Sequence, residues 1–334
     1  MKVHKWLVCF FIVTFPSMLL TLVFAIGVAR SEYPERPITV LVGMQAGGPL
    51  DLGTRAISTG AEKVLGQPLV IENRTAGSGT AAATAVAAAR PDGYRLFGTS
   101  AVQIIRVPQF LKVTTFKPLR SFTPIVGYAT PINGLVVRKD APWQSLPELV
   151  DYAKKNPGKI KYTGSTVGSA FHHAMEYIAF KAGIKWVHIP QTGAGPAMIA
   201  LLGGHVDACS AGADFVPHAK SETVRVLAIY DEKRSPFFPD VPTLKELGYD
   251  FVNEQVFCIL GPAGLPPEIV KKLETAFAKG MESPEFKTFA EKLYLAPSYY
   301  NSQDFGRFLE EQWFKIEKSL KETGMMKEPA TPPY

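Results

Sequence analysis

Short apolar runs rich in β-branched residues alternate with amphipathic or alanine-rich stretches along most of the chain. Residues 38–42 and 69–73 read as buried strands, and residues 94–100 as a third that ends in small polar residues. A helix is predicted from Asp51, read as its N-cap, to about Leu65, with Gly66 as the stop. Residues 81–89, nearly all alanine, predict a second helix. Strand and helix thus alternate over the first hundred residues, which argues for a largely parallel sheet. A second set occupies about 132–230. Its strands are predicted at 133–138, 160–163, 186–190, 206–209 and 224–229. Its helices are predicted at 145–155, 170–182 and 196–202, with Ser145 as an N-cap and Pro196 at a first helical position. Beyond it come a strand at 255–260, an amphipathic helix to about 281, a helix from Pro284 and a last one at 302–323. Residues 107–131 are punctuated by proline and predict no regular element, and the proline-rich tail 328–334 reads as disordered.

Four Gly/Ser-rich loops, at about 43–49, 74–80, 164–169 and 191–196, each join a predicted strand to a predicted helix start. A helix N-terminus offers unpaired N–H groups and a positive dipole end, and glycine lets a ligand approach the backbone. In parallel sheets ligands bind beyond the carboxyl ends of the strands, where these loops lie. No Gly-Lys-Ser/Thr follows any of them and no G-x-G-x-x-G is present, so neither a P-loop nor a dinucleotide fold is indicated. The candidate ligand-binding residues of the first set are Gln45, Gly47, Asp51, Ser78, Thr80 and Ser100, with Asp51 reaching a ligand or its water or only capping its helix. Those of the second are Ser165, Gly168, Ser169, Gln191, Thr192 and Gly195. Arg55 reads as an inter-element ion pair. Asp214 reads as a solvent-exposed turn residue or, within reach of a ligand, as a partner for an amine.

Length and composition place the chain among globular proteins. Its 334 residues suffice for two ordinary domains, with 46% hydrophobic and 20% charged residues. The first residues are read apart from the fold. Lys2 and Lys5 precede a run without charge from Trp6 to Ala29, and Gly27-Val28-Ala29 supplies small residues before a cleavage point. Residues 1–29 therefore read as a signal peptide. The run is also long enough to cross a bilayer, so an uncleaved anchor is the alternative. Removing the two lysines lowers the formal charge from +6 to +4. That mild excess suits anionic solutes and is too diffuse for nucleic acid. Cys209 and Cys258 remain, as a disulfide or as two buried thiols.

Catalytic patterns are missing. His172 and Glu176 share a helix face, but the zinc motif needs two histidines at that spacing, so no metal site is predicted. No G-x-S-x-G elbow and no paired carboxylates stand out. No cofactor is expected.

Taken together, several segments resemble the substrate-binding proteins of tripartite tricarboxylate transporters, the Bug or TctC-like family. They are Pro37-Ile38-Thr39-Val40 with Ala46-Gly47-Gly48-Pro49-x-Asp51-x-x-x-Arg55, Glu72-Asn73-Arg74, Pro91-Asp92-Gly93-Tyr94 and Phe122-Thr123-Pro124-Ile125. Further along are Gly193-Ala194-Gly195-Pro196-Ala197, Leu201 to Asp207, Val241-Pro242-Thr243-Leu244 and Pro262-Ala263-Gly264-Leu265-Pro266. The resemblance spans about Tyr33 to Lys318. It implies an α/β, type II periplasmic binding protein fold: two α/β lobes with a ligand cleft between them. Lobe 1 would take 30–130 and 246–334, and lobe 2 would take 131–245. It also implies that loop amides, hydroxyls and waters, rather than arginines, hold the ligand carboxylates. Met44-Gln45, Gly164 to Ser169, Gln191-Thr192, Val256 and Cys258 depart from the family's usual residues and bear on ligand identity.

The resulting expectation is a non-enzymatic periplasmic protein that captures a small carboxylate and delivers it to membrane permease subunits. A ligand sensor signalling to a membrane kinase is the alternative, and an exported hydrolase on the same scaffold a third.

Overall fold

The computed structural model describes residues 33–334 apart from 78, 111, 113, 114, 165, 166 and 254. The predicted signal peptide lies outside the described residues, as do the candidates Ser78 and Ser165.

The first sheet has six strands in the order β11-β4-β10-β3-β1-β2. They are β1 (Ile38–Val42), β2 (Leu69–Asn73), β3 (Arg95–Ser100), β4 (Phe122–Pro131), β10 (Phe257–Pro262) and β11 (Leu295–Tyr300). β1 pairs in parallel with β2 and β3, whereas β10 and β11 pair antiparallel with their neighbours. The second sheet has five strands in the order β7-β6-β8-β5-β9. These are β5 (Gly134–Arg138), β6 (Lys161–Thr163), β7 (Val187–His188), β8 (Ala208–Ala211) and β9 (Val224–Ile229). β6 is parallel to β7 and β8, and β5 is antiparallel to β8 and β9.

The helices are α1 (Pro49–Leu65), α2 (Thr80–Ala87), α3 (Ala101–Ile105), α4 (Val107–Phe110), α5 (Leu146–Lys155) and α6 (Ala170–Ala182). They continue with α7 (Ala194–Leu202), α8 (Phe215–Lys220), α9 (Pro267–Glu282), α10 (Pro284–Lys292) and α11 (Ser302–Glu322). The second sheet is buried on both faces. Leu135 and Val137 join one core with α5 and α6, while Val136 points into another with α7 and Phe215. This is the two-residue alternation of a strand with helices on either side. α1 crosses α9 at two glycines: a methyl on Gly280 would lie 2.3 Å from Ile57 O, and one on Gly60 2.6 Å from Gly280 Cα.

The chain passes from one sheet to the other through Ile132–Asn133 and returns in the 230–256 region. Tyr230 N–H donates to Asn133 O (2.9 Å) and Asn253 N–H to Tyr230 O (2.8 Å), which zips the crossing segments together.

Several sequence expectations need correction. β4 lies in the segment predicted to be irregular. It tolerates Pro124 at a register shift in its ladder to β10, and Pro131 as its last residue. β11 was likewise not predicted. The tail is not disordered: Ala330 N–H donates to Gln109 O, Thr331 N–H to Pro108 O (both 2.9 Å), and Leu119 N–H to Pro333 O (3.0 Å). Cys209 and Cys258 are free buried thiols on β8 and β10, in different sheets. The predicted strand at 186–190 is reduced to two residues.

Candidate functional site

Because β3, β1 and β2 run parallel, the loops after them open on one edge of the first sheet. The loop after β1 ends at Gly48, which caps α1, and Pro49 is the first helical residue. Proline fits there because its fixed φ suits the helix and its missing N–H would have been unpaired. Asp51 is therefore in the first turn and is not the N-cap. Its carboxylate turns back and is almost fully buried. Gly47 N–H donates to Oδ2 (2.8 Å), Asn73 Nδ2 to Oδ1 (2.9 Å), and Arg55 Nε to both oxygens (3.1 Å). Asn73 also donates to Met44 O (3.0 Å), and Arg55 Nη2 donates to Asn73 Oδ1 (3.1 Å). Burial alone would raise the Asp51 pKa, but the bonds from Arg55, Gly47 and Asn73 overcome it and hold the carboxyl below its ordinary value. The effect is a latch that ties the loop of Gln45 and Gly47, both exposed, to the end of β2.

The loop before α2 lies against this latch. A methyl on Gly79 would sit 2.7 Å from Gly43 O, and Gly79 has φ +88°, so only glycine fits. Thr80 Oγ1 donates to Gly77 O (2.8 Å) at the start of α2. Ser100 caps α3 without a side-chain bond to the helix and is half-exposed. Gln103 Oε1 also borders this turn, 3.3 Å from the same methyl position on Gly79.

In the second sheet β7, β6 and β8 are parallel neighbours, so their following loops also share an edge, in the order 189–193, 164–169, 212–214. Ser169 is the N-cap of α6. It accepts from His172 N–H (3.2 Å) and donates to Gly164 O (2.9 Å). Gly168 N–H donates to His172 Nδ1 (3.1 Å), and burial lowers the His172 pKa, which favours the neutral ring that can accept. His172 stacks on His188 at 4.2 Å, with Tyr162 behind donating its hydroxyl to Glu176. Phe110 on α4 reaches this loop from the side of the first sheet, 3.8 Å from the Cβ position of Gly168. Half-exposed Gln191 and exposed Thr192 precede α7 at the sheet margin, and Gly195 is the second residue of that helix. Pro196 is its third residue, not its first. Asp214 is exposed and caps α8. Its charge, after burial, is the second cause that pushes the Cys209 thiol up to about 12.

The described candidates thus form two groups, one at each sheet's parallel edge. Sequence reasoning missed Gln103, Asn133 and Phe171. The first follows Ser100 by less than one helical turn and was within reach of the pattern. Asn133 lies on the crossing segment and Phe171 at the start of α6, and both reach Gly212 through tertiary packing that no local pattern encodes. Among the described residues no group of three or more His, Cys, Asp or Glu side chains is placed to hold a metal ion.

The two-edged arrangement has counterparts among known proteins. The sequence profile of the tripartite tricarboxylate transporter family receptor, TctC, matches residues 54–325. This chain belongs to that family. The UPF0065 protein in the gbd 5' region of Cupriavidus necator is 36% identical to this TctC-family chain, over 89% of it and 90% of the relative. A TctC solute-binding protein from Polaromonas superposes with TM-score 0.80 at 28% identity, covering 87% of this chain and 99% of that one. Rpa4515 of R. palustris, solved with adipate, gives TM-score 0.71 at 28% identity over 88% and 99% of the two chains. MatC from Rhodopseudomonas palustris, with bound malate, gives 0.66 at 28% over 86% and 100%. The two-lobe type II binding-protein fold expected from the sequence is therefore that of TctC-family solute-binding receptors, which are not enzymes.

Proposed function

We propose that this TctC-family receptor is exported to the periplasm, captures a small organic carboxylate between its lobes and delivers it to the permease subunits of a tripartite transporter. The observation that carries the reading is the Asp51–Arg55–Asn73 latch. It neutralises the arginine nearest the first cleft loop internally, and the chain then presents helix starts and hydroxyls to an anion. The adipate and malate held by two structural neighbours support a carboxylate as the ligand class. The uncharged stretch 6–29 behind Lys2 and Lys5 supports export through residues 1–29.

Lobe 1 (30–130 with 246–334) and lobe 2 (131–245) close on the ligand by a hinge at the crossing segments. Gln45, Gly47, Asp51, Ser78, Thr80 and Ser100 serve from the first lobe. Ser165, Gly168, Ser169, Gln191, Thr192, Gly195 and Asp214 serve from the second. Asp51 acts by shaping its loop. Replacing Ser169 and Thr192 together with alanine tests the assignment by titration calorimetry. Loss of about tenfold or more in affinity is expected, from two polar contacts of ordinary strength. Unchanged affinity would remove the second-lobe loops from the site.

A further inference from the structure

Asn133 sits on the crossing segment between β4 and β5 and is wholly buried. Its Nδ2 donates to Pro131 O at 2.7 Å, which fixes the side chain's orientation. Its Oδ1 is left buried with no hydrogen-bond partner among the described residues. A desolvated acceptor of this kind is costly unless a donor reaches it. Oδ1 faces Gly212, just beyond β8. A methyl on Gly212 would stand 3.7 Å from Asn133 Oδ1, 3.7 Å from Asp214 Oδ2 and 3.5 Å from Phe171 Cζ. The backbone at Gly212 is ordinary, so glycine is not demanded there by conformation. What its missing side chain leaves is a niche with two acceptors, one of them a carboxylate, closed on one side by an aromatic ring.

Such a niche repels a ligand carboxylate and accepts a cationic donor. We propose that the Gly212 niche is an ammonium subsite, so that this receptor selects a small acid carrying an ammonium group beside its carboxylates. The ammonium donates to Asn133 Oδ1 and Asp214 Oδ2 while the helix starts hold the acid groups. The inference rests on the carboxylate reading above and narrows it to amino acids with acidic side chains or similar zwitterions. One feature agrees with it: the field of Asp214 is felt at the neighbouring Cys209 thiol.

Matched acids that differ only in the ammonium group test the proposal: aspartate against succinate, and glutamate against glutarate, by titration calorimetry on the full chain. The amino acid of at least one pair is expected to bind about tenfold tighter or more, the scale of one charge-assisted hydrogen bond. In Asp214→Asn and in Gly212→Ala the ratio within that pair should collapse toward one. Gly212→Ala places its methyl at ordinary contact distance, so its thermal midpoint should stay near that of the parent and serves as the folding control. Equal or weaker binding of the amino acids, or a preference that survives both substitutions, would overturn the ammonium subsite and leave the carboxylate reading standing. Failure of every carboxylate, aminated or not, to bind would overturn both.

Discussion

His173 on α6 and Ser319 on α11 meet at 2.8 Å, Nε2 to Oγ, and the bond joins the helix that follows the 164–169 loop of the second sheet to the long C-terminal helix. Arg106 Nη1 approaches the other ring nitrogen, Nδ1, at 3.2 Å. An arginine can only donate, so Nδ1 accepts and Nε2–H donates to Ser319. The imidazole is fully buried and must be neutral in this arrangement.

Burial first, then the charges of Arg106 and His172, hold the His173 pKa well below 6.5. The folded state therefore refuses a proton that the unfolded chain accepts. Stability is full above about pH 6.5 and is lost as pH falls below it. His173→Gln should lower stability near neutral pH by about 1–3 kcal/mol, the cost of a disrupted buried bond. It should also flatten the loss on acidification. Thermal unfolding of both proteins across pH checks this, and parallel pH curves would contradict it.

Asp231 predicts the opposite slope. Its Oδ1 is buried at the crossing segments without a hydrogen-bond partner among the described residues, and burial pushes its carboxyl up to about 8. The folded protein then holds a proton that the unfolded chain releases at about pH 4, so this residue costs stability progressively as pH rises from about 4 to 8. Asp231→Asn should raise the unfolding midpoint, most at about pH 8, and have little effect at about pH 4. No gain at the alkaline end would show that the carboxyl finds a charge partner in solution.

The α1–α9 crossing predicts a strong local contrast between glycines. Gly280→Ala places a methyl 2.3 Å from Ile57 O and should destabilise by about 2–3 kcal/mol, the usual range for an overpacked contact. Gly193→Ala meets none of the described residues within 4 Å and should change stability by no more than about 0.5 kcal/mol. Urea unfolding of the two variants decides it, and similar midpoints would sink the packing argument.

The Asp51 latch predicts a coupling between stability and site. Asp51→Ala strips the partner from Gly47 N–H, Arg55 and Asn73, and should cost about 1.5–3 kcal/mol, as for a hydrogen-bonded charge. Its folded pKa lies below 3.8, so its contribution is present above that pH and is lost as pH falls through the folded value. The difference in unfolding free energy between parent and variant should therefore shrink in acid. A constant difference would mean the carboxylate is not the group that matters.

The sequence shows the strands and helices wherever one apolar run forms one element. Ser145 and Ser169 cap their helices as their residue types suggest. β4 and β11 were illegible because Pro124, Pro131 and Pro297 violate strand preference, and only the neighbouring ladders offset that. The tail was misread for a similar reason, since its prolines cannot donate but Ala330 and Thr331 can. At the site, the loops could be read from glycine and serine alone. The partners of Asp51 lay only partly in view. Arg55, expected to pair between elements, pairs instead within α1 with Asp51 one turn back, whereas Asn73 comes from the next strand. Asn133, on the crossing segment, and Phe171, at the start of α6, meet Gly212 only through packing between segments distant in sequence.

The most direct test of carboxylate capture is thermal unfolding of residues 30–334 against a panel of di- and tricarboxylates, aromatic carboxylates, acidic amino acids, neutral sugars and divalent metals. A ligand present at 100 times its Kd stabilises by about 2.7 kcal/mol, a clear rise in midpoint. A selective rise with one class of acid is the predicted result. A rise with a sugar or a metal, and with no acid, would contradict the account.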